Sequence, residues 1–242
     1  MGSYLWFMMA LLVCGVFSAL ASAKVHRTYA KYGKISTRSG MTGYDTADRL
    51  LRAADVTDVD IGRVSGNLTD HYHPVEGKVN LSDMTYGEAT IAAAAVAAHE
   101  VGHVIQNKRG YLFYRVRTAL VPVVNFGSRL AMPLVLVGLL LDGGVFLTRN
   151  SDMGYYLAMF GVILYGASFL FTVITLPVEL DASRRARRML VDEGILTTEE
   201  MAGAGQVLSA AAMTYLAGMF TSLVYFLRFL FMVMTLFGRR RD

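Results

Sequence analysis

The residues of this chain best suited to chemistry are gathered in the pentad His99-Glu100-Val101-Gly102-His103. Residues four apart on a helix project from one face, so the two imidazoles stand one turn apart with a carboxylate beside them. Zinc takes neutral imidazole nitrogen and carboxylate oxygen as ligands, and a catalytic zinc keeps one of its four positions open to water. It lowers the pKa of that water toward about 7, which supplies a nucleophile at neutral pH, and Glu100 sits where it can receive the proton. The reaction predicted is peptide-bond hydrolysis, with His99 and His103 as ligands and Glu100 as general base. Five-residue patterns with two free positions also arise by accident. Here the helical setting, the presence of only five histidines in the chain and the packing freedom conferred by Gly102 argue for chemistry.

Two imidazoles do not complete a zinc site. Cys14 is the single cysteine, so no thiolate cluster can form within one chain, and the third ligand must be His, Asp or Glu. The segment Pro177-Val178-Glu179-Leu180-Asp181-Ala182-Ser183-Arg184-Arg185 offers Glu179 or Asp181 on a helix expected to begin at the proline. Acidic residues in a first turn also suit the helix dipole without any further role. His71 and His73 share a face if extended, as for a second metal, although such a pair more often belongs to a hydrogen-bonded turn. Arg184 is an oxyanion candidate, but in a run of arginines it reads better as solvated or lipid-facing.

Positioning these groups falls to an apolar chain. Hydrophobic residues make up 54% and the mean hydropathy is +0.42, too apolar for an ordinary soluble domain. The net charge of +4 is spread among apolar segments, which excludes a nucleic-acid surface and suggests membrane orientation. Tyr4 to Ala23 is uncharged and long enough, at about 1.5 Å per residue, to cross a hydrocarbon core of roughly 30 Å. Ala21-Ser22-Ala23 fits a signal cleavage pattern, but no basic residue precedes the run. Leu130 to Leu147 and Tyr155 to Leu176 form a hairpin of spans, and Ala212 to Phe237 is a last membrane segment interrupted by Arg228.

Lys24, Arg27, Lys31, Lys34 and Arg38 follow the first span, and Arg184, Arg185, Arg187 and Arg188 follow the third, while Arg149 stands alone in the hairpin loop. The positive-inside rule puts the pentad and the Glu179 segment together on the cytoplasmic side; Arg239, Arg240 and Arg241 run against it if the last segment crosses once. Outside the membrane, Tyr44 to Ala54 reads as a helix, and Val59 to Ser65 and Lys78 to Leu81 as extended pieces. Thr85-x-x-Glu88 reads as a capping box opening the pentad helix, which Gly110 ends. Ala92 to Ala98 signals close packing, and Tyr111 to Arg129 reads as a helix lying along the membrane surface. His26 is expected near the lipid headgroups.

Several stretches together resemble the YugP-like membrane zinc metallopeptidases, bacterial integral-membrane proteins with a gluzincin-type site. The resemblance runs from Gly43-Tyr44-Asp45 through Gly66-Asn67-Leu68-Thr69-Asp70-His71-Tyr72-His73-Pro74 and Leu81-Ser82 to Ala97 through Gln106 and Leu176 through Ala186. The last stretch is also similar to the Glu-x-x-Ala-Asp-Arg motif of HtpX and CaaX-processing proteases. That similarity implies Glu179 as third zinc ligand, with Ala182 in the alanine place. Ser183 stands where those proteases carry an aspartate supporting the histidines, which leaves Asp181 and Ser183 as candidates for that support. His73 stands where the YugP-like pattern carries an aspartate, so no role is transferred to it.

The resulting expectation is a mainly α membrane protein with a gluzincin-like peptidase domain and a small β element, packed on about four transmembrane helices. Its parts are a first span at 1–23, a peptidase region at 24–129, a hairpin at 130–176, a third-ligand helix at 177–211 and a membrane segment with basic tail at 212–242. The expected activity is a zinc-dependent endopeptidase in the bacterial plasma membrane, with lipid and a peptide or protein substrate as partners. Lys78 to Leu81 would receive the substrate as an added strand. Two rivals remain. In one, Asp142 of Leu141-Asp142-Gly143 is the third ligand, as in site-2-type intramembrane proteases; in the other the zinc serves a non-catalytic scaffold.

Overall fold

The computed structural model describes residues 2–142 and 153–238, with side chains for 5–141 and 153–237. The elements are α1 (Gly2–Tyr32), α2 (Gly43–Ala53), β1 (Asp60–Val64), β2 (His71–His73), β3 (Lys78–Ser82), α3 (Asp83–Tyr86), α4 (Ile91–Lys108), α5 (Leu112–Asp142), α6 (Met153–Asp192) and α7 (Thr198–Gly238). Four helices, α1, α5, α6 and α7, are long and apolar enough to cross a bilayer, so this is a mainly α membrane protein with one small sheet. The hairpin loop around Arg149 and the tail Arg239 to Arg241 lie outside the described residues.

The chain divides into two compact units. One comprises Ala19–Arg115 and Leu176–Tyr215 and contains the pentad. Its sheet has the order β1-β3-β2, with β1 parallel and β2 antiparallel to the central β3. Val79 and Leu81 point from β3 into a core shared with Leu50 of α2, Val101 and Val104 of α4, and Leu190 of α6. Ala92 to Ala95, Ala97 and Ala98 are wholly buried there, the close packing that small side chains allow. α4 starts where the Thr90 hydroxyl accepts from the Ala93 N–H. It ends at Gly110, whose φ of +63° lets the Tyr111 N–H reach back to the Gln106 carbonyl.

The other unit comprises Met1–Ser18, Val116–Thr175 and Leu216–Asp242. Val135, Ala158, Val162, Phe229 and Val233 form its buried centre. A Cβ at Gly161 would lie 2.7 Å from the Ala131 carbonyl oxygen, so glycine is what lets α5 and α6 approach here, the usual device of packed membrane helices.

Several local expectations change. Thr85 lies inside α3, and its hydroxyl bonds with Tyr29 and Ser82 instead of capping α4. Pro177 lies inside α6, where it does not start a helix: Val178, Ala182, Ala186 and Leu190 are fully buried on one face, and that packing carries the helix through the missing N–H. Nothing breaks α5 between Leu112 and Asp142, so the surface helix and the following span expected around residues 129 and 130 are one element. Lys78 to Leu81 cannot accept an added strand, because β3 is the central strand and is paired on both sides. The edges are β1 and β2, and β2, the one packed against α4, is too short a run for its alternation to stand out in the sequence.

Candidate metal centre

α4 and α6 carry the site, and the two helices touch backbone to side. A Cβ at Gly102 would fall 2.7 Å from the Ala182 carbonyl oxygen, so the glycine between the two pentad histidines is the point of closest approach. Glu179 and Ser183 flank Ala182 on the facing side of α6 and therefore meet the imidazoles.

Glu179 Oε2 lies 3.1 Å from His99 Nε2 and 3.5 Å from His103 Nε2, and the donor atoms of all three residues fall within 4.8 Å of one another. Ligands held at about 2.1 Å around a tetrahedral zinc stand about 3.4 Å apart, so these spacings suit that ion. The donor types suit it too: two imidazole nitrogens and one carboxylate oxygen leave one of four positions for a non-protein ligand. Glu179 is only 2% exposed, and a carboxylate buried among two imidazoles suits a site that holds a cation.

Glu100 is buried on α4, beside His99. Burial pushes its carboxyl up to about 7; the nearby His99 opposes this, Glu179 and Asp70 add to it, and a hydrogen bond from the Tyr72 backbone pulls it down. A carboxyl in that range both accepts and returns a proton near neutrality. β2 is an edge strand of the sheet and packs against α4, the helix that carries Glu100.

Behind the imidazoles, the Ser183 hydroxyl is 3.2 Å from His99 Nδ1. Asp181 does not touch a histidine. Its Oδ2 accepts from Gln106 Nε2 at 2.9 Å and from Arg185 Nε at 2.6 Å, and Gln106 Oε1 lies 3.0 Å from His103 Nδ1. Gln106 is the residue that reading by motif passed over, though its position three after His103 puts it on the same helical face.

A cavity of about 240 Å³ opens onto His99 and Glu100. Val25 and His26 of α1, Val96 of α4, and Val207 and Leu208 of α7 help to line it, so His26, expected at the headgroups, borders the site. His71 is hydrogen-bonded to the Thr69 carbonyl and to Asn80, and His73 accepts from the Glu76 N–H, the bland alternative to a second metal. Arg184 is exposed. The side chain of Asp142, the rival ligand, lies outside the described residues.

A helical membrane protein in which two histidines and a glutamate converge beside a buried carboxyl belongs in class with the membrane zinc proteases. A family model described as "Putative neutral zinc metallopeptidase" matches residues 6–234. The chain is also 42% identical over 209 residues to a Bacillus subtilis (strain 168) protein described as "Putative membrane protease YugP", covering 86% of this chain and 88% of that one. It belongs to this zinc metallopeptidase family, as the resemblance of its motifs implied. No solved structure matches the chain significantly.

Proposed function

We propose that the chain is a membrane-embedded zinc endopeptidase in which His99, His103 and Glu179 hold the metal and Glu100 is the general base. The observation that carries this reading is the meeting of three zinc-type donors from segments 80 residues apart in sequence, at spacings of 3.1 and 3.5 Å, next to a second buried acid. When bound, zinc would supply a Lewis acid that polarises the scissile carbonyl and makes water a nucleophile at neutral pH. Glu100 takes the proton from the attacking water and returns it to the departing amine. Burial, which raises its proton affinity, suits it to both steps.

The substrate backbone aligns along β2, an edge strand packed against the helix that carries Glu100. An uncharged side chain next to the scissile bond fills the cavity walled by Val25, Val96, Val207 and Leu208. The site faces the cytoplasm of a bacterial cell, the side favoured by the basic residues that follow the first and third apolar runs.

The deciding experiment is Glu100→Gln. The variant keeps zinc at one per chain and loses hydrolysis of a quenched peptide substrate; equal turnover by both proteins would refute the mechanism. A scaffold holding structural zinc has no use for a buried acid beside an open coordination place, and such a protein would show no hydrolysis to lose.

A further inference from the structure

We propose that Gln106 is a positioning residue that holds His103 in the tautomer whose Nε2 lone pair is free for a metal, with Asp181 and the Val178 carbonyl setting the direction of its amide. The proposal rests on the peptidase reading for the identity of the metal centre.

A glutamine amide can point either way, and only its partners decide which end is oxygen. One end of the Gln106 amide faces the Val178 carbonyl oxygen at 2.8 Å and the Asp181 carboxylate at 2.9 Å. A carbonyl and a carboxylate only accept, so the NH2 group belongs on that side. The amide oxygen is thereby turned to His103 Nδ1, 3.0 Å away. An amide oxygen donates nothing, so the contact is a hydrogen bond only when Nδ1 carries the hydrogen. In a neutral imidazole the lone pair then belongs to Nε2, the nitrogen that stands 3.5 Å from Glu179 Oε2 within the donor cluster.

Burial makes the constraint strict. Gln106 is wholly inaccessible and His103 is 6% exposed, so a misdirected amide could not turn to water for compensation. His99 is held differently, because the Ser183 hydroxyl at 3.2 Å from its Nδ1 can donate or accept and selects no tautomer. Direction is therefore imposed at His103 and merely permitted at His99. The spacing on each helix serves the arrangement, since His103 and Gln106 on α4, and Val178 and Asp181 on α6, are each three residues apart and share a face.

The test uses the full chain in detergent with cobalt(II) as probe. Affinity is read by competition with a chromophoric chelator, and the hyperfine-shifted ring N–H signals are read by NMR. Gln106→Met keeps the length of the side chain and removes its polarity. Its cobalt affinity is expected to fall about 10- to 100-fold, the range found when a partner behind a metal ligand is lost, and the His103 N–H signal is expected to shift or vanish by exchange. A second variant, Gln106→Glu with Asp181→Asn, keeps an accepting oxygen toward Nδ1 while giving up the amide donors and avoiding two facing carboxylates. It should recover most of the affinity and restore the His103 N–H signal. The amide introduced at position 181, donating to the carboxylate, keeps α4 and α6 tied in this variant, so the N–H signal is the readout that a mere clamp would not move; if Gln106→Met does not fold, that signal in this variant decides. Unchanged affinity and N–H signal in Gln106→Met, or no recovery in the second variant, overturns the proposal. Failure of the wild-type chain to take up cobalt would instead refute the peptidase reading, and this proposal with it.

Discussion

Gly102→Ala is the sharpest probe of how this site is held together. A Cβ at position 102 would lie 2.7 Å from the Ala182 carbonyl oxygen and 3.2 Å from that residue's carbonyl carbon and Cα. Ordinary contact begins near 3.4 Å, so α4 and α6 must separate locally by about 0.7 Å, and backbone, unlike a long side chain, cannot swing aside. Overpacking of this kind costs about 1–3 kcal/mol, while alanine returns about 1 kcal/mol through helix propensity. The fold should therefore survive with a loss of at most about 2 kcal/mol. The metal should not fare as well: His99 and His103 ride on one helix and Glu179 on the other, and ligand distances tolerate only about 0.2 Å. We expect zinc affinity, measured by chelator competition, to fall at least about tenfold, with peptidase activity at limiting zinc falling alongside it. Gly218→Ala is the control, since nothing lies within 4 Å of a Cβ there. A Gly102→Ala protein that binds zinc like wild type would show that the separation of α4 and α6 does not set the coordination geometry.

Other outcomes follow from the same geometry. Glu179→Ala should abolish high-affinity zinc binding while Asp142→Ala leaves it intact; loss only in the Asp142 variant would transfer the third ligand to that residue. In metal-free protein the Glu100 carboxyl, held near 7 when folded, binds a proton that the unfolded chain has released by about pH 4.5. Its contribution to stability is therefore complete below about pH 4.5 and lost as pH rises through 7, a decline of about 3 kcal/mol. Glu100→Gln should flatten that decline in denaturation of the metal-free chain at pH 5 and pH 8; parallel curves for the two proteins would count against a buried, proton-retaining acid. Ala211→Leu, which fills the cavity beside Glu100, should leave zinc content unchanged and shift cleavage toward peptides with glycine or alanine at the scissile bond. An unaltered preference would remove the cavity from substrate recognition.

Much of this molecule can be read from local pattern. Two histidines four apart share a helix face wherever that helix is placed, Gly110 ends α4 because the turn there needs a positive φ, and four apolar runs are long enough to cross a bilayer. The alanine run packs as small side chains do. Thr85 and Pro177 mislead because their local preferences are overridden: the Thr85 hydroxyl finds Tyr29, far along the chain, and a buried face of α6 holds the helix together through the proline. β2 offers only three residues of pattern, too few to declare a strand before β3 is beside it.

The choice between Glu179 and Asp181 is of another kind. Both are acids on one helix, and their spacing alone leaves both open; only the resemblance of the segment to the Glu-x-x-Ala-Asp-Arg motif singled out Glu179. The contact of Gly102 with Ala182 brings Glu179 onto the imidazoles and leaves Asp181 to orient Gln106. Residue types and helical spacing thus specified what chemistry could be done and which face would do it. Which acid stands beside the histidines, and which amide stands behind one of them, depended on how two helices about 80 residues apart in the chain approach each other, a distance over which no local rule acts.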